Sequence, residues 1–261
     1  MGKNKLIRFE EMKTFPHVFQ PSFEEYFNTD YKLKGKWQEF FFKNQNPIIL
    51  ELGCGKGEYT VKLAQQFLNI NFIGVDIKGA RMWKGAKIAL TEKMKNVAFL
   101  RTKIESIASF FAENEVSEIW LTFPDPQIKK LTKRLSSAFF LNQYQSFLQA
   151  EGCVHLKTDS ELMFGFTKKL IRKNKLDIVL QTENLYAEYE NHPILSIKTY
   201  YEAQYLARGL KIKYLKFRLN TNNKIENPEE DKNLQQKEIE SRKKTGSSQI
   251  LRGNDTVIMD F

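Results

Sequence analysis

The segment "PIILELGCGKGEYT" (residues 47–60) passes from an apolar run into a glycine-rich loop and then into a helical pattern. Gly53, Gly55 and Gly57 allow a tight turn and a close approach of a ligand to the main chain. A dinucleotide-binding loop would read G-x-G-x-x-G, but Glu58 stands at its third glycine position. A Walker loop is excluded as well, since no G-K-[ST] follows. The loop therefore favours a ligand that has no pyrophosphate group.

Around this loop, short apolar segments alternate with segments that carry apolar residues at helical spacing. The predicted strands are residues 47–52, 71–76, 97–102, 117–123, 152–157, 176–182 and 211–219. The predicted helices lie within residues 59–68, 80–90, 136–148, 158–175 and 199–209. Regular alternation of this kind predicts an α/β fold with a doubly wound, mostly parallel sheet.

Two acidic residues suggest what the loop binds. Glu51 and the loop amides could meet the ammonium and carboxylate groups of an amino acid. Asp76 ends the next predicted strand, where doubly wound folds place a carboxylate on ribose hydroxyls. A ligand with an amino-acid end and a ribose end is S-adenosylmethionine. The alternative is a plain glycine turn in which Asp76 caps the following helix.

The segment after the third predicted strand would line the adenine of such a cofactor. Lys103, Ile104 and Glu105 occupy this place, and Ile104 could pack on the ring. Lys103 and Glu105 could equally be solvated surface charges.

The composition narrows the class of partner. Lys and Arg number 41 and Asp and Glu number 31, so the net charge is 41 − 31 = +10 and points to a polyanion, first of all a nucleic acid. No apolar run reaches the roughly 20 residues of a membrane-spanning helix, and the N-terminus lacks the apolar region of a secretory signal. Two cysteines and three scattered histidines predict no metal site. Free thiols of this kind fit a reducing cytoplasm.

The segment "FPDPQIKKLTKRL" (residues 123–135) follows the fourth predicted strand. Proline ends the strand and stiffens the loop, so Asp125 would be held at the rim of the cofactor crevice. A cluster of cations follows and could grip phosphates, namely Lys129, Lys130, Lys133 and Arg134. The alternative is a proline turn followed by a solvated basic helix start.

The chain divides into three regions by composition. Residues 1–46 are aromatic-rich and predict an ordered, irregular extension that packs on the core. Residues 47–219 hold the alternating strands and helices. Residues 220–261 are polar, and we expect them to be largely disordered, with at most a frayed helix.

An ordered set of motifs resembles the bacterial tRNA (guanine-N7-)-methyltransferase family. The motifs are "ELGCGKG", "GVDIKGAR", "FPDP" with its following lysines, "HLKTDS" and "IKTYYE". The resemblance runs from the glycine loop to Leu219 and rests mainly on the proline–aspartate and T-x-Y-E motifs. It implies a Rossmann-like methyltransferase sheet with helices on both faces and an antiparallel C-terminal strand. It also implies methylation of the variable-loop guanine, position 46 of the tRNA.

Carried over by position, the resemblance makes Asp125 the catalytic residue. It places cofactor contacts at Glu51, Asp76, Asp125, Lys103 and Ile104, beside the glycines of the loop. It places tRNA contacts at Lys129, Asp159, Thr199, Tyr200, Tyr201 and Glu202. The sequence departs from the family where "PQIKKLTKRL" lacks a Trp and a His and is one residue shorter, and where Lys103 replaces the usual Asp or Asn.

Two other functions remain open at this stage. One is a methyltransferase that acts on another RNA, a protein or a small molecule. A protein or small-molecule substrate would leave the net charge and the cations after Asp125 unexplained. The other is a non-catalytic RNA-binding protein with a relic cofactor fold, which would have no reason to keep Glu51, Asp76 and Asp125 together. We expect a cytoplasmic monomer or homodimer with tRNA as its partner, no metal and no membrane association.

Overall fold

The computed structural model describes residues 3–221 and 223–244, and within them eight strands form one sheet. The strands are β1 (Val18–Phe19), β2 (Ile48–Leu52), β3 (Asn71–Val75), β4 (Val97–Leu100), β5 (Val116–Thr122), β6 (Leu148–Thr158), β7 (Ile178–Thr182) and β8 (Lys213–Arg218). Their order is β1-β4-β3-β2-β5-β6-β8-β7, and the pairs are parallel except those of β8, which is antiparallel to β6 and β7. The predicted fold class and its antiparallel C-terminal strand are confirmed.

Helices connect the strands and cover both faces of the sheet. They are α1 (Lys3–Met12), α2 (Glu58–Gln66), α3 (Gly79–Thr91), α4 (Ala138–Gln145), α5 (Glu161–Lys173), α6 (Leu185–Glu188), α7 (Tyr200–Ala207) and α8 (Lys232–Lys244). Short 3₁₀ turns occur at Phe23–Glu25, Ile104–Ser109 and Leu131–Lys133, and a π-helical turn occurs at Trp37–Phe42. Three of the five helical segments predicted from the sequence contain α4, α5 and α7, and the other two overlap α2 and α3, each of which begins one residue before its prediction.

The central strands are apolar throughout because both faces of the sheet are covered. Every residue of β2 and β3 is buried. Successive side chains of a strand point to opposite faces, so Ile49 and Leu50 belong to two separate hydrophobic clusters. A continuous apolar run such as "IIL" is therefore the expected pattern for a strand buried on both sides.

The order of the strands reverses between β2 and β5. The chain winds outward through β3 and β4 on one side and through β5 and β6 on the other. In open α/β sheets, ligands bind outside the carboxyl ends of the strands at such a reversal. This topology places the loops after β2, β3 and β5 around one crevice.

The N-terminal extension is more regular than its sequence indicates. β1 adds a short parallel edge strand beside β4, and α1 packs on α3. Glu11 of α1 accepts hydrogen bonds from the Trp83 indole at 2.7 Å and from Lys87 at 2.5 Å. A two-residue strand is too short to show an alternating pattern, so the sequence gives no sign of β1.

The segment after β8 differs from the expected disordered tail. Ile225 is 2% exposed and joins the core cluster beneath α4 and α5. The side chain of Asn142 pairs with the Ile225 backbone, donating at 3.0 Å and accepting at 2.8 Å. Asn227 accepts a hydrogen bond from the Ala138 amide at 2.8 Å and so caps α4. A few polar side chains and one apolar residue hold this segment against the core. The mean hydropathy of the segment does not detect such docking.

The polar helix α8 continues the same docking along α5. Leu234 lies over Gly165, where an added Cβ would come within 2.7 Å of it. Glu238 and Arg242 form a buried ion pair at 2.6 Å, and Glu238 also accepts from the Leu162 amide at 3.3 Å. The rest of the predicted disordered tail, residues 245–261, lies outside the described residues.

The structure also shows the surroundings of the two cysteines and of His155. Cys54 and Cys153 are buried free thiols. His155 lies in the core, where it stacks on Trp120 with ring centroids 4.0 Å apart and hydrogen-bonds Tyr214 at 2.7 Å. Within the described ranges, no helix has the length and hydrophobicity needed to cross a membrane.

The docked segment makes a stability prediction. Ile225→Ala should lower the free energy of unfolding by about 2–5 kcal/mol, because it removes a buried aliphatic side chain from the core. Lys224→Ala, at an exposed neighbouring position, should change it by no more than about 0.5 kcal/mol. Urea unfolding of both variants measures this difference. Equal, small effects of the two substitutions would show that the segment is not docked in solution.

Candidate active site

A cleft of about 470 Å³ opens at the carboxyl edge of the sheet, beside the reversal between β2 and β5. This volume is in the range of small-molecule sites, roughly 300–1,000 Å³. Eight of the residues predicted from the sequence line it: Glu51, Gly53, Gly55, Asp76, Ile104, Asp125, Lys133 and Thr199. The structure thus brings the glycine loop, the acidic residues and the proline–aspartate loop together.

The glycine loop presents bare backbone to this cleft. Gly53 and Gly55 have φ angles of +83° and +56°. The amides of Gly53 and Cys54 both donate to the Val75 carbonyl, at 2.8 and 3.0 Å, and so tie the loop to β3. A Cβ on Gly55 would meet no protein atom closer than 4.0 Å. The open backbone there fits the close approach of a ligand.

Gly57 serves packing rather than the cleft. Its φ is +68°, and an added Cβ would lie 2.6 Å from the Phe99 ring. Gly85 of α3 approaches the same point, and its amide donates to the Lys56 carbonyl at 2.9 Å. The third glycine of the motif therefore allows the loop, β4 and α3 to pack closely.

Glu51 forms part of the cleft wall but is only 4% exposed. One carboxylate oxygen accepts from the Thr60 amide at 2.9 Å and from the Thr60 hydroxyl, and the other accepts from the Thr122 hydroxyl. Burial raises the pKa of Glu51 to about 7, although the hydrogen bonds from Thr122 and Thr60 act in the opposite direction. Glu51 thus joins β2, α2 and β5 behind the glycine loop.

Asp76 bridges the loops that follow β2 and β3. One carboxylate oxygen accepts from the Gly55 amide at 2.9 Å, and the other accepts from the Lys78 amide at 2.7 Å. The expected cap of α3 is not observed, because Lys78 is its N-cap residue and the helix has no side-chain capping hydrogen bond. Asp76 instead closes a turn just before the helix, and it also lines the cleft. Its position beside the glycine loop is the one expected for a ribose-binding carboxylate.

The predicted adenine segment lines a neighbouring recess of about 330 Å³. Ile104 contributes to both the recess and the cleft, and Gly53 and Asp76 do the same. Lys103 lines only the recess, where Leu135 supplies an apolar wall. The recess has the mixed apolar and polar lining that a purine ring would need.

Asp125 is exposed at the rim of the cleft, in the loop after β5. Phe123 and Gln127, on either side of it, have φ angles of +49° and +46°, a region that residues with a Cβ rarely adopt. The Asp125 carboxylate accepts from the Gln127 amide at 3.0 Å. Strained backbone of this kind persists only where its surroundings hold it, and it concentrates at functional sites.

Arg134 holds this loop from below. It is 1% exposed, its Nε donates to the Pro126 carbonyl at 3.0 Å, and its guanidinium lies 4.6 Å from the centre of the Phe166 ring. The prediction that Arg134 grips phosphate is therefore wrong, because its side chain is buried. Position 134 lies at the end of a 3₁₀ turn, and the chain turns it inward towards α5.

The other cations after Asp125 face outward. Lys129 and Lys130 are exposed. Lys133 forms an ion pair with Glu105 at 2.8 Å and lines the cleft. Glu105, which the sequence left open as a solvated charge, thus has a partner across the recess. Lys129 and Lys130 are the cations of this group that the structure leaves available for a phosphate backbone.

The T-x-Y-E motif begins α7. Thr199 and Glu202 form a capping box, in which each side chain accepts from the backbone amide of the other at 3.2 Å. Tyr200 is half exposed, and the Lys56 ammonium lies 4.0 Å from its ring centre. Glu202 is fully buried and pairs with Lys157 at 2.9 Å. Thr199 reaches the cleft, and the side chain of Tyr201 lies outside the described part of the structure.

Asp159 follows β6 and is not among the described residues that line the cleft. Its carbonyl accepts from Lys213 at 3.5 Å. Burial raises the pKa of Asp159, and the charge of Arg242 on α8 partly offsets this effect. Its expected role at the target base therefore stays a prediction, with α8 packed beside it.

Several cleft residues were not predicted from the sequence. They are Lys56, Glu58, Arg81, Gln204, Tyr205 and Arg208. Gln204 and Arg208 are four residues apart on one face of α7, a spacing that would have pointed to them once Thr199 was placed at the cleft. Among the described residues, no group of three or more His, Cys, Asp or Glu side chains could hold a metal ion.

The raised pKa of Glu51 predicts a pH-dependent stability. Because the folded-state pKa of about 7 exceeds the ordinary 4.5, the fold favours the protonated form. The stability that the protonated Glu51 carboxyl group contributes is fully present below about pH 4.5 and is lost as the pH rises through about 7. Relative to Glu51→Gln, the wild type should lose up to about 3 kcal/mol of unfolding free energy over this range. Urea unfolding near pH 4.5 and near pH 8 tests this, and a difference that does not change with pH would contradict it.

Comparison with known proteins agrees with this geometry. A family model described as a putative methyltransferase matches residues 45–215. The tRNA (guanine-N(7)-)-methyltransferase of Bacteroides fragilis is 56% identical over 229 residues, which cover 88% of this chain and 91% of that protein. The enzyme of the same name from Clostridioides difficile is 35% identical over 186 residues, 69% of this chain and 84% of that protein.

Solved structures agree on the fold alone. The 16S rRNA methyltransferase KamB superposes with a TM-score of 0.53 at 13% identity, over 69% of this chain and 91% of that chain. An antibiotic-related methyltransferase superposes with a TM-score of 0.52 at 18% identity, over 72% of this chain and 95% of that chain. The family model, the curated relatives and the cleft at the strand reversal lead to one conclusion: the chain belongs to the tRNA (guanine-N7-)-methyltransferase family.

Proposed function

We propose that the protein transfers the methyl group of S-adenosylmethionine to N7 of the variable-loop guanine of tRNA. The observation that carries this proposal is the meeting of the glycine loop, Asp76 and Asp125 at one cleft. It is supported by relatives named for this activity at 56% identity. A cytoplasmic location follows from tRNA as the substrate, and a monomer or homodimer remains the expected assembly.

The lining of the cleft and its adjoining recess supports binding of the proposed cofactor. Gly53 and Gly55 would meet the amino-acid end, since both line the cleft and an added Cβ on Gly55 would meet no atom closer than 4.0 Å. Asp76 would accept hydrogen bonds from the ribose hydroxyls, and Ile104 would pack against adenine in the adjoining recess. Glu51 would act behind the loop, because Thr60 and Thr122 already occupy its oxygens. When bound, the cofactor supplies the electrophilic methyl group.

Methyl transfer to guanine N7 requires the protein mainly to position the reacting groups. N7 carries an in-plane lone pair and no proton, so the chain needs no general base to activate it. The rate then depends on holding the nucleophile in line with the methyl group and near contact distance. Asp125 suits this task because the backbone at Phe123 and Gln127 fixes its place at the rim.

Asp125 would also select the base. A carboxylate can accept hydrogen bonds from the N1–H and 2-amino groups of guanine, and adenine offers no such pair of donors. Asp159 and Glu202, which the resemblance places among the tRNA contacts, are less suited to this selection, because Glu202 is buried against Lys157 and Asp159 lies beside α8. We therefore assign base recognition primarily to Asp125, with Thr199 on the facing wall.

Methyl transfer to unmodified tRNA is the first test. Labelled S-adenosylmethionine should label bulk tRNA, and borohydride followed by aniline should cleave the product in the variable loop, since this treatment cleaves at N7-methylguanosine. Asp125→Asn should reduce kcat/KM by about 10- to 100-fold, because an amide cannot accept both guanine donors. Asp177→Asn, at an exposed position just before the edge strand β7, serves as the matched control.

Each other result points to a different function. Labelled RNA without cleavage would show that the protein is an RNA methyltransferase whose target is another atom or another position. No labelled RNA, with intact binding of S-adenosylmethionine, would favour a small-molecule or protein substrate. Neither labelling nor cofactor binding would leave the non-catalytic RNA-binding protein as the better interpretation.

The exposed lysines after Asp125 predict how tRNA binding depends on salt. Each phosphate contact that a lysine makes contributes about one unit to the slope of log K against log salt concentration. The double substitution Lys129→Ala and Lys130→Ala should therefore weaken binding and reduce this slope by about 2. Lys173→Ala, on the distant end of α5, should leave the slope unchanged. Filter binding at several salt concentrations measures it, and an unaltered slope in the double variant would show that the tRNA lies elsewhere.

A further inference from the structure

A lysine that no part of the proposed chemistry uses is fully buried beside the cleft. Lys157 lies near the end of β6, and both it and Glu202 have no exposed side-chain surface. Their charged groups are 2.9 Å apart. Removing two charges from water is unfavourable, and a buried pair of this kind often adds little stability. The location of the Lys157–Glu202 pair, rather than its contribution to stability, indicates its role.

The ammonium group of Lys157 holds the chain that leads into α7. Its three donors are used by the Glu202 carboxylate and by the carbonyls of Leu195 and Ile197, at 3.0 and 2.9 Å. Tyr186 donates to the same carboxylate at 2.5 Å. The lysine thus fixes both the loop before α7 and the first turn of the helix.

The backbone of Lys157 holds the opposite wall of the cleft. Its carbonyl accepts from the Phe123 amide at 2.8 Å, where the Asp125 loop leaves β5. Thr122 is its partner in the parallel ladder. One residue therefore anchors the loop of Asp125 through its main chain and α7 through its side chain.

Direct contact joins the same two walls further out. The rings of Phe123 and Tyr205 have centroids 5.7 Å apart. Thr199, Gln204 and Tyr205 of the α7 segment line the cleft opposite Asp125. A shift of α7 would therefore change the space between Asp125 and the wall that faces the target base.

We propose that Lys157 is a positioning residue that couples the Asp125 loop to α7, so that the two walls of the substrate side of the cleft keep a fixed separation. The T-x-Y-E glutamate is then the anchor of α7 rather than a contact to the base. This inference rests on the proposed methyl transfer to tRNA. It differs from a general role in stability because it concerns one side of the cleft only.

Lys157→Met tests the coupling, since methionine keeps the length and loses every donor. We expect kcat/KM for tRNA to fall by about 10- to 100-fold, as displacement of a reacting group by about 1 Å does. The Kd for S-adenosylmethionine should change by less than about 3-fold, because the glycine loop and Asp76 lie across the cleft. Hydrogen exchange of residues 199–208 should become faster in the variant.

Two further variants make the comparison specific. Glu202→Gln keeps the size of the side chain, removes its charge and should change both measurements in the same direction. Lys216→Met removes a lysine of the neighbouring strand that pairs with Glu118 at 3.1 Å, away from the cleft. This control should leave tRNA kinetics and the exchange of residues 199–208 as in the wild type.

Every outcome decides the matter. Folded Lys157→Met with wild-type kinetics and exchange would overturn the proposal, and so would an equal loss of tRNA activity and cofactor binding. If neither Lys157→Met nor Glu202→Gln folds, as judged by circular dichroism, the pair serves stability and the proposal is wrong. A wild type that does not methylate tRNA would refute the proposed function instead, while the exchange measurement would still report on the coupling.

Discussion

The reversal of strand order between β2 and β5 is the constraint on which the site depends. A parallel sheet covered on both faces leaves polar groups to a ligand only at the ends of its strands. Glu51, Asp76 and Asp125 are far apart in sequence, but each stands at or just beyond the carboxyl end of a strand next to the reversal. The crevice therefore follows from topology, and local sequence decides which groups point into it.

Buried polar groups behind the cleft give it a fixed shape. Glu51, Arg134 and Lys157 are each almost fully buried, and each joins two or more elements around the site. The carboxylate of Glu51 and the ammonium of Lys157 are held by several hydrogen bonds or ion pairs, so each permits one arrangement of its neighbours. Arg134 is held through Nε, while its buried Nη2 has no partner among the described residues. The cleft is thus supported by buried polar groups, of which Glu51 also forms part of its wall.

The sequence predicts the position of Asp76 and Asp125 at the cleft, because both follow apolar strands and are marked by glycine or proline. It fails where the direction of a side chain depends on a distant partner. Arg134 belongs to a run of cations and turns inward, and Glu202 belongs to a capping box whose buried partner lies 45 positions earlier on β6. The docking of residues 223–244 is also non-local, since it relies on Asn142, Gly165 and Leu162 of other helices.

The cap of α4 has a consequence for the order in which the protein is completed during synthesis. Its donor amide at Ala138 and its acceptor at Asn227 are 89 residues apart. At a translation rate of about 5–20 residues per second, roughly 4–18 s separate the two on the ribosome. The strands that frame the cleft emerge first, and the segment that caps α4 follows them, with α8 after it. A nascent chain stalled before Ile225 would therefore lack both this cap and an apolar side chain of the core cluster, and we expect it to become a target for chaperones.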